Sequence, residues 1–123
     1  MQDPTENNNL LSYKGKSPKI TKPFFQAQGS KVIGEVKIGE KSSIWFNAVL
    51  RADVNYIRVG SLTNIQDGSV VHVTYKGNPC IIGDQVTVGH GAILHACEIA
   101  DQCLIGMGSI VLDGAQLEKN CLL

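Results

Sequence analysis

The sequence carries no excess charge of either sign, few aromatic residues and no long apolar run. Lysine plus arginine equal aspartate plus glutamate at 11 each, and aromatics make up 6% of the chain. Such a chain has no basic surplus to neutralise a nucleic-acid backbone and too few rings to stack bases, so no nucleic-acid partner is expected. No stretch approaches the roughly 18 apolar residues of a membrane span, so no membrane partner is expected either. The opening MQDPTENNN is polar and partly acidic, without the basic start, apolar run and cleavage site of a secretory signal. Cys80, Cys97, Cys103 and Cys121 show no CxxC pair. That spacing points to reduced, partly buried thiols and a cytoplasmic or matrix-like compartment rather than a disulfide framework. What remains, an apolar share of 43% in 123 residues, fits one domain with a modest core.

What the chain has in place of those features is a period. Aliphatic residues recur every six positions at Val32, Ile38, Ile44 and Leu50. After an insertion they resume at Val59, Ile65 and Val71, and after a second, YKGNPCI, at Ile82, Val88 and Leu94. The series slips by one to Ile99 and continues at Ile105, Val111 and Leu117. The residue four places on is mostly small, as at Ser42, Ala48, Ser69 and Ala92, and glycine often follows the aliphatic, as at Gly39, Gly60 and Gly83. A period of six suits neither an amphipathic helix nor an alternating strand. It suits a very short strand followed by a corner, with three such sides closing a triangular coil that stacks on the next at about 4.8 Å. The reading is all-β: a parallel β-helix of hexapeptide repeats with three short strands per coil. A sandwich of many short strands would turn at irregular intervals of about 8–12 residues.

Residues 1–28 lack the period, and SPKITKPFF within them reads as an extended lead-in strand covering the first coil. Residues 29–123 form the β-helix domain. The last stretch, LEKNCLL, is still in period with no cap after it, so the chain reads as cut short and that end as covered by something further.

All three histidines, His72, His90 and His95, lie between residues 72 and 95. Counting sides rather than residues, 71, 82, 88 and 94 complete one coil if the insertion after His72 loops outward. His72 and His95 each follow their aliphatic by one place, so they stack on one corner. A backbone separation of about 4.8 Å lets two ring nitrogens converge to the roughly 3.3 Å that a tetrahedral metal requires. His90 follows Val88 by two and lies at the previous corner, about 16 Å away along a side of about five residues. One metal cannot be held by His90 and His95 of the same chain. A neighbouring copy can bring its own His90 to the pair, and a three-fold axis along the prism does so three times. The same count puts Arg51 one coil below His72 and Asp67 one coil below His90, with Gln66 beside it.

The segments RAD (Arg51 to Asp53), NIQDG (Asn64 to Gly68), VVH (Val70 to His72) and VGHGAILHAC (Val88 to Cys97) resemble the γ-class carbonic anhydrases and their relatives. The resemblance runs from about residue 20 to 123. It implies a left-handed β-helix in a homotrimer, with a zinc-type metal at each interface held by His72 and His95 of one chain and His90 of the next. Cobalt and iron(II) are the alternative metals for three imidazoles. The resemblance also implies the roles of the other residues. Gln66 matches the glutamine that orients the nucleophile, and Asn64 resembles its hydrogen-bonding partner. Asp67 matches a residue beside the ligand corner. Arg51 and Asp53 match a charge pair bridging subunits. The implied reaction is reversible hydration of carbon dioxide to bicarbonate, since a cation held by three neutral imidazoles lowers the pKa of water to near 7.

Two departures stand out. Val54 occupies the place of a glutamate that follows the archetype's R-x-D. The insertion TYKGNPC carries no acid where the archetype has a proton-shuttling glutamate, which weighs against rapid proton export. The family's active-site asparagine and terminal helix fall beyond residue 123. Two other functions compete: an acyl-CoA thioesterase or acyltransferase on the same scaffold, and a non-catalytic assembly subunit.

Overall fold

The computed structural model describes residues 9–123, so the first eight residues of the expected lead-in lie outside the described part. Among the described residues every regular element is a strand. In chain order these are β1 (Leu10–Leu11), β2 (Lys19–Ile20), β3 (Phe24–Gln26), β4 (Lys31–Ile38), β5 (Ser42–Ile44), β6 (Val49–Val59), β7 (Asn64–Ile65) and β8 (Val70–His72). They continue as β9 (Cys80–Ile82), β10 (Thr87–Val88), β11 (Ile93–His95), β12 (Glu98–Ile99), β13 (Leu104–Ile105), β14 (Ile110–Val111) and β15 (Gln116–Leu117). All their pairings are parallel, and each strand pairs with the strand one coil away. The architecture is the expected all-β, left-handed parallel β-helix, with about six turns.

Three aliphatic columns build the core. Val32, Leu50, Val71, Leu94 and Val111 stack on one face. Ile38, Val59, Ile82, Ile99 and Leu117 stack on the second. Ile44, Ile65, Val88 and Ile105 stack on the third. Leu117 is partly buried, and no other member is more than 4% exposed. Burying each contributes on the order of 1.5–3 kcal/mol. The small residues between columns, Ser42, Ala48, Ser69 and Ala92 among them, are buried too. Their size lets three walls close on a narrow interior.

Two details differ from the simple three-strand coil. First, β4 and β6 bend round a corner through a bulge that shifts their register, and pair again beyond it, so two of the three faces join into one sheet. Second, residues 10–26, read from sequence as a lead-in, form three short strands paired with the next coil on the same faces. A local turn closed by the Tyr13–Lys16 bridge breaks the spacing after Leu10, and the polar Gln26, buried in an aliphatic place, hides the period that Ile20 and Gln26 otherwise carry into Val32.

Both insertions leave the core intact. Between Gly34–Ala52 and Val36–Ile57, one residue of β4 faces four of β6, so Asp53 to Tyr56 bulge outward. Residues 73–79 leave the wall as a loop with Tyr75 exposed at its tip. The first insertion holds the second: the Asn55 side-chain amide donates to the carbonyls of Thr74 at 3.1 Å and Gly77 at 2.9 Å. The four cysteines are free thiols, three of them buried, with the sulfurs of Cys80 and Cys97 3.9 Å apart.

The glycine column has a steric cause. A Cβ on Gly60 would lie 2.6 Å from the backbone of Gly83, and one on Gly39 would lie 2.7 Å from the backbone of Gly60. These corners touch backbone to backbone along the stack. The Gly60→Ala protein is therefore expected to lose about 1–3 kcal/mol by overpacking. Denaturant melts check this against Gly68→Ala, where the added methyl meets open space and only the φ of +70° disfavours alanine, so the reference reads backbone strain without overpacking.

Candidate metal centre

The stacked strands place the histidines. β8 and β11 pair in register, and His72 and His95 are direct partners across them. Their rings meet edge to face, with centroids 5.1 Å apart and His72 Nδ1 3.2 Å from His95 Nε2. Two ligands on a tetrahedral metal at about 2.05 Å lie about 3.3 Å apart, so this pair has the spacing of one edge of such a site.

The far side of each ring faces a carboxylate. His72 Nε2 is 3.0 Å from Asp53 Oδ1, and His95 Nδ1 is 2.6 Å from Asp113 Oδ1. Burial pushes the Asp53 carboxyl up, but hydrogen bonds from His72, Arg51 and the Val54 amide outweigh it and hold Asp53 down at about 2. Asp113 is lowered as well, by hydrogen bonds from the Thr74 hydroxyl and from His95. Ionised carboxylates only accept hydrogen bonds, and a neutral imidazole has one N–H to give. In the tautomer in which each ring gives its N–H outward to its aspartate, the inner nitrogens, 3.2 Å apart, both carry lone pairs. That arrangement is repulsive unless a cation sits between them, so the donor set fits a metal.

His90 is not brought to this pair. It lies on the neighbouring corner, where Val88 stacks on Ile65 and His90 therefore stands over Asp67. Its Nδ1 is 3.1 Å from Asp67 Oδ1, which leaves Nε2 as the nitrogen open to a metal. Among the described residues no group of three or more His, Cys, Asp or Glu is arranged to hold a metal within one chain.

Around His90 lies an open groove of about 500 Å³, lined by Ser43, Trp45, Asn64, Gln66, Asp67 and His90. Gln66 is fixed along the strand ladder. Its side-chain amide donates to Asn64 Oδ1 at 2.9 Å, and the Asn64 amide donates to Thr87 Oγ1 at 3.2 Å. The Trp45 indole N–H donates to Ser43 at 2.9 Å, and its ring packs against Phe25 and Phe46.

Arg51 and Asp53 pair with each other inside the chain, Nη1 to Oδ2 at 2.5 Å. Asp53 thereby joins Arg51 to His72, a contact the sequence reading did not anticipate. Nor did it anticipate Asp113. The stacking count was the available signal, since Val111 stacks on Leu94 and Asp113 falls one place further round than His95. No helix among the described residues is long and apolar enough to cross a membrane.

No family model matches the chain. Among curated proteins, 46% identity over 124 residues relates it to "Gamma carbonic anhydrase 2, mitochondrial" of Arabidopsis thaliana, covering 97% of this chain and 45% of that protein. A protein named "Carbonic anhydrase" from Geobacillus kaustophilus is 47% identical over 108 residues, covering 88% of this chain and 59% of its own length. A crystal structure of a putative acetyltransferase from Bacillus cereus aligns with a TM-score of 0.81 at 40% identity, covering 94% of this chain and 75% of that one. The chain thus spans about half the length of the curated relatives it matches.

Proposed function

Because the chain belongs to the γ-class carbonic anhydrase-like family of hexapeptide-repeat proteins, we propose that it is a carbonate dehydratase acting through a three-histidine metal site shared between copies in a homotrimer. His72 and His95 of one copy and His90 of its neighbour are the ligands. The observation that carries the reading is the His72–His95 pair, whose inner nitrogens lie 3.2 Å apart while aspartates occupy the outer ones. Zinc is the metal we favour, with cobalt or iron(II) as alternatives for the same imidazole set. When bound, such a cation supplies Lewis acidity that lowers the pKa of water to near neutrality.

The chain's own groups supply the rest. Asp53, Asp67 and Asp113 accept the outward N–H of the three rings and so present the opposite nitrogens as lone pairs. Gln66 spends its N–H on Asn64, which Thr87 anchors, so its carbonyl oxygen is the end that accepts a hydrogen bond from the attacking water. Carbon dioxide enters by the groove beside His90, with Trp45 as an apolar wall. Arg51 and Asp53 lie at the corner that meets the neighbouring copy and set the approach of the two subunits. Four free thiols suit a reducing compartment, and we place the protein in the cytoplasm.

Metal content and carbon dioxide hydration of the purified protein test the reading together, with bound metal and hydration both expected. Gln66→Leu is expected to lower hydration by about 10–100-fold at unchanged metal content, as loss of an outer hydrogen-bonding partner does. Bound metal without hydration would instead favour acyl transfer or thioester hydrolysis. That second reading draws support from the groove, roomy at about 500 Å³ for carbon dioxide, and from the putative acetyltransferase among the relatives. The same preparation assayed with acyl-CoA decides between them, and inactivity in both assays would favour an assembly subunit.

A further inference from the structure

The three aspartates that face the histidines differ in how they are tied. Asp53 is clasped by Arg51, and Asp67 meets the exposed ring of His90. Asp113 spends its two oxygens on different elements. Oδ1 faces His95 Nδ1 at 2.6 Å, and Oδ2 accepts a hydrogen bond from the Thr74 hydroxyl. Thr74 lies two residues beyond His72, at the foot of the loop of residues 73–79, and Asn55 grips the same residue by its carbonyl oxygen. Asp113 thus closes a bridge from His95 on one coil to the segment that leaves His72 on the coil below.

We propose that Asp113 is a positioning residue, which fixes the His95 ring through one oxygen and ties it through the other to the loop after His72. The inference rests on the three-histidine reading of the site. An imidazole without an outer acceptor rotates, and its proton is free to move to the inner nitrogen, where it blocks the lone pair a metal needs. The Thr74 hydroxyl holds the carboxylate in one rotamer and carries the position of the loop to the ligand. Asp113 is itself exposed at the surface, so its removal leaves the buried columns untouched.

Two measurements on the purified protein test this. One is cobalt(II) affinity, by competition with a chelator. The other is the His95 tautomer in metal-free protein, by nitrogen-15 NMR. Wild type is expected to show His95 protonated at Nδ1. Asp113→Ala is expected to bind cobalt about 10–100-fold more weakly and to lose that signature, at an unchanged melting temperature. Asp113→Asn, which keeps an acceptor oxygen, should recover part of the affinity. Thr74→Val should weaken cobalt binding less than Asp113→Ala and keep the Nδ1 proton. Asp84→Asn is the control: Asp84 accepts the Ser61 amide at 2.8 Å at another corner, and cobalt affinity should not change. Wild-type His95 protonated at Nε2, or wild-type cobalt affinity in Asp113→Ala while His95→Ala loses the metal, would overturn the proposal. Cobalt retained by His95→Ala would overturn the three-histidine reading itself, and this inference with it.

Discussion

Alanine in place of His90 is expected to empty the metal site and leave the fold standing. The His90 side chain is 55% exposed, belongs to no buried column and contacts Asp67 at the surface. Changes at such positions usually stay within about 0.5 kcal/mol of wild type. The expected loss is therefore chemical. Two imidazoles on one corner form one edge of a tetrahedron, and without a third ligand they do not retain the metal through purification. Carbon dioxide hydration is expected to fall by about a thousandfold or more, since water near pH 7 is then no longer activated. Metal analysis, circular dichroism and a hydration assay on the same sample check the three parts. A His90→Ala protein with full metal occupancy would mean that the ligands come from elsewhere.

The second large effect lies in the core. Leu94 is fully buried, between Val71 below and Val111 above, and immediately precedes His95. Leu94→Ala removes three carbons from a closed interior in which the flanking coils are held by their own ladders and collapse only partly. The expected cost is about 3 kcal/mol, within the range for buried leucine truncations. Leu62, 50% exposed at a corner, gives the matched comparison, with less than about 0.5 kcal/mol expected for Leu62→Ala. Urea melts of both proteins measure the difference. Because β11 carries both Leu94 and His95, metal affinity is expected to fall in Leu94→Ala as well and to stay level in Leu62→Ala.

The columns were legible in the sequence because each side of a coil contributes one inward aliphatic residue, and neither insertion disturbs that position. Counting sides across those insertions gave the His72–His95 register and the placing of His90 over Asp67. What counting could not give is where side chains reach. Asp53 sits on a bulge and turns to His72 while keeping Arg51. Asp113 stacks over Ala96, yet its carboxylate bends back to His95 and across to Thr74. The paired strands of residues 10–26 were hidden for another reason. Leu10 is cut off from the next column position by a turn, whereas Ile20 and Gln26 keep the six-residue spacing into Val32 and went unread because a buried glutamine stands where an aliphatic is expected. Glycine spacing was visible, but its cause was not. The corners at Gly39, Gly60 and Gly83 need glycine for backbone contact, while the left-handed conformation is taken elsewhere by Lys41, Leu62, Gln85 and Gln102.

The central claim is that each site is built from two copies of the chain, and mixing defective copies tests it most directly. His90→Ala and His72→Ala proteins are each expected to be metal-free. Unfolded together in equal amounts and refolded, they should form mixed trimers in which about a quarter of the interfaces join an intact His72–His95 pair to an intact His90. Metal and hydration activity returning to about that fraction is the predicted result. No recovery from a mixture shown to contain mixed trimers, or metal held by either parent alone, would contradict the account.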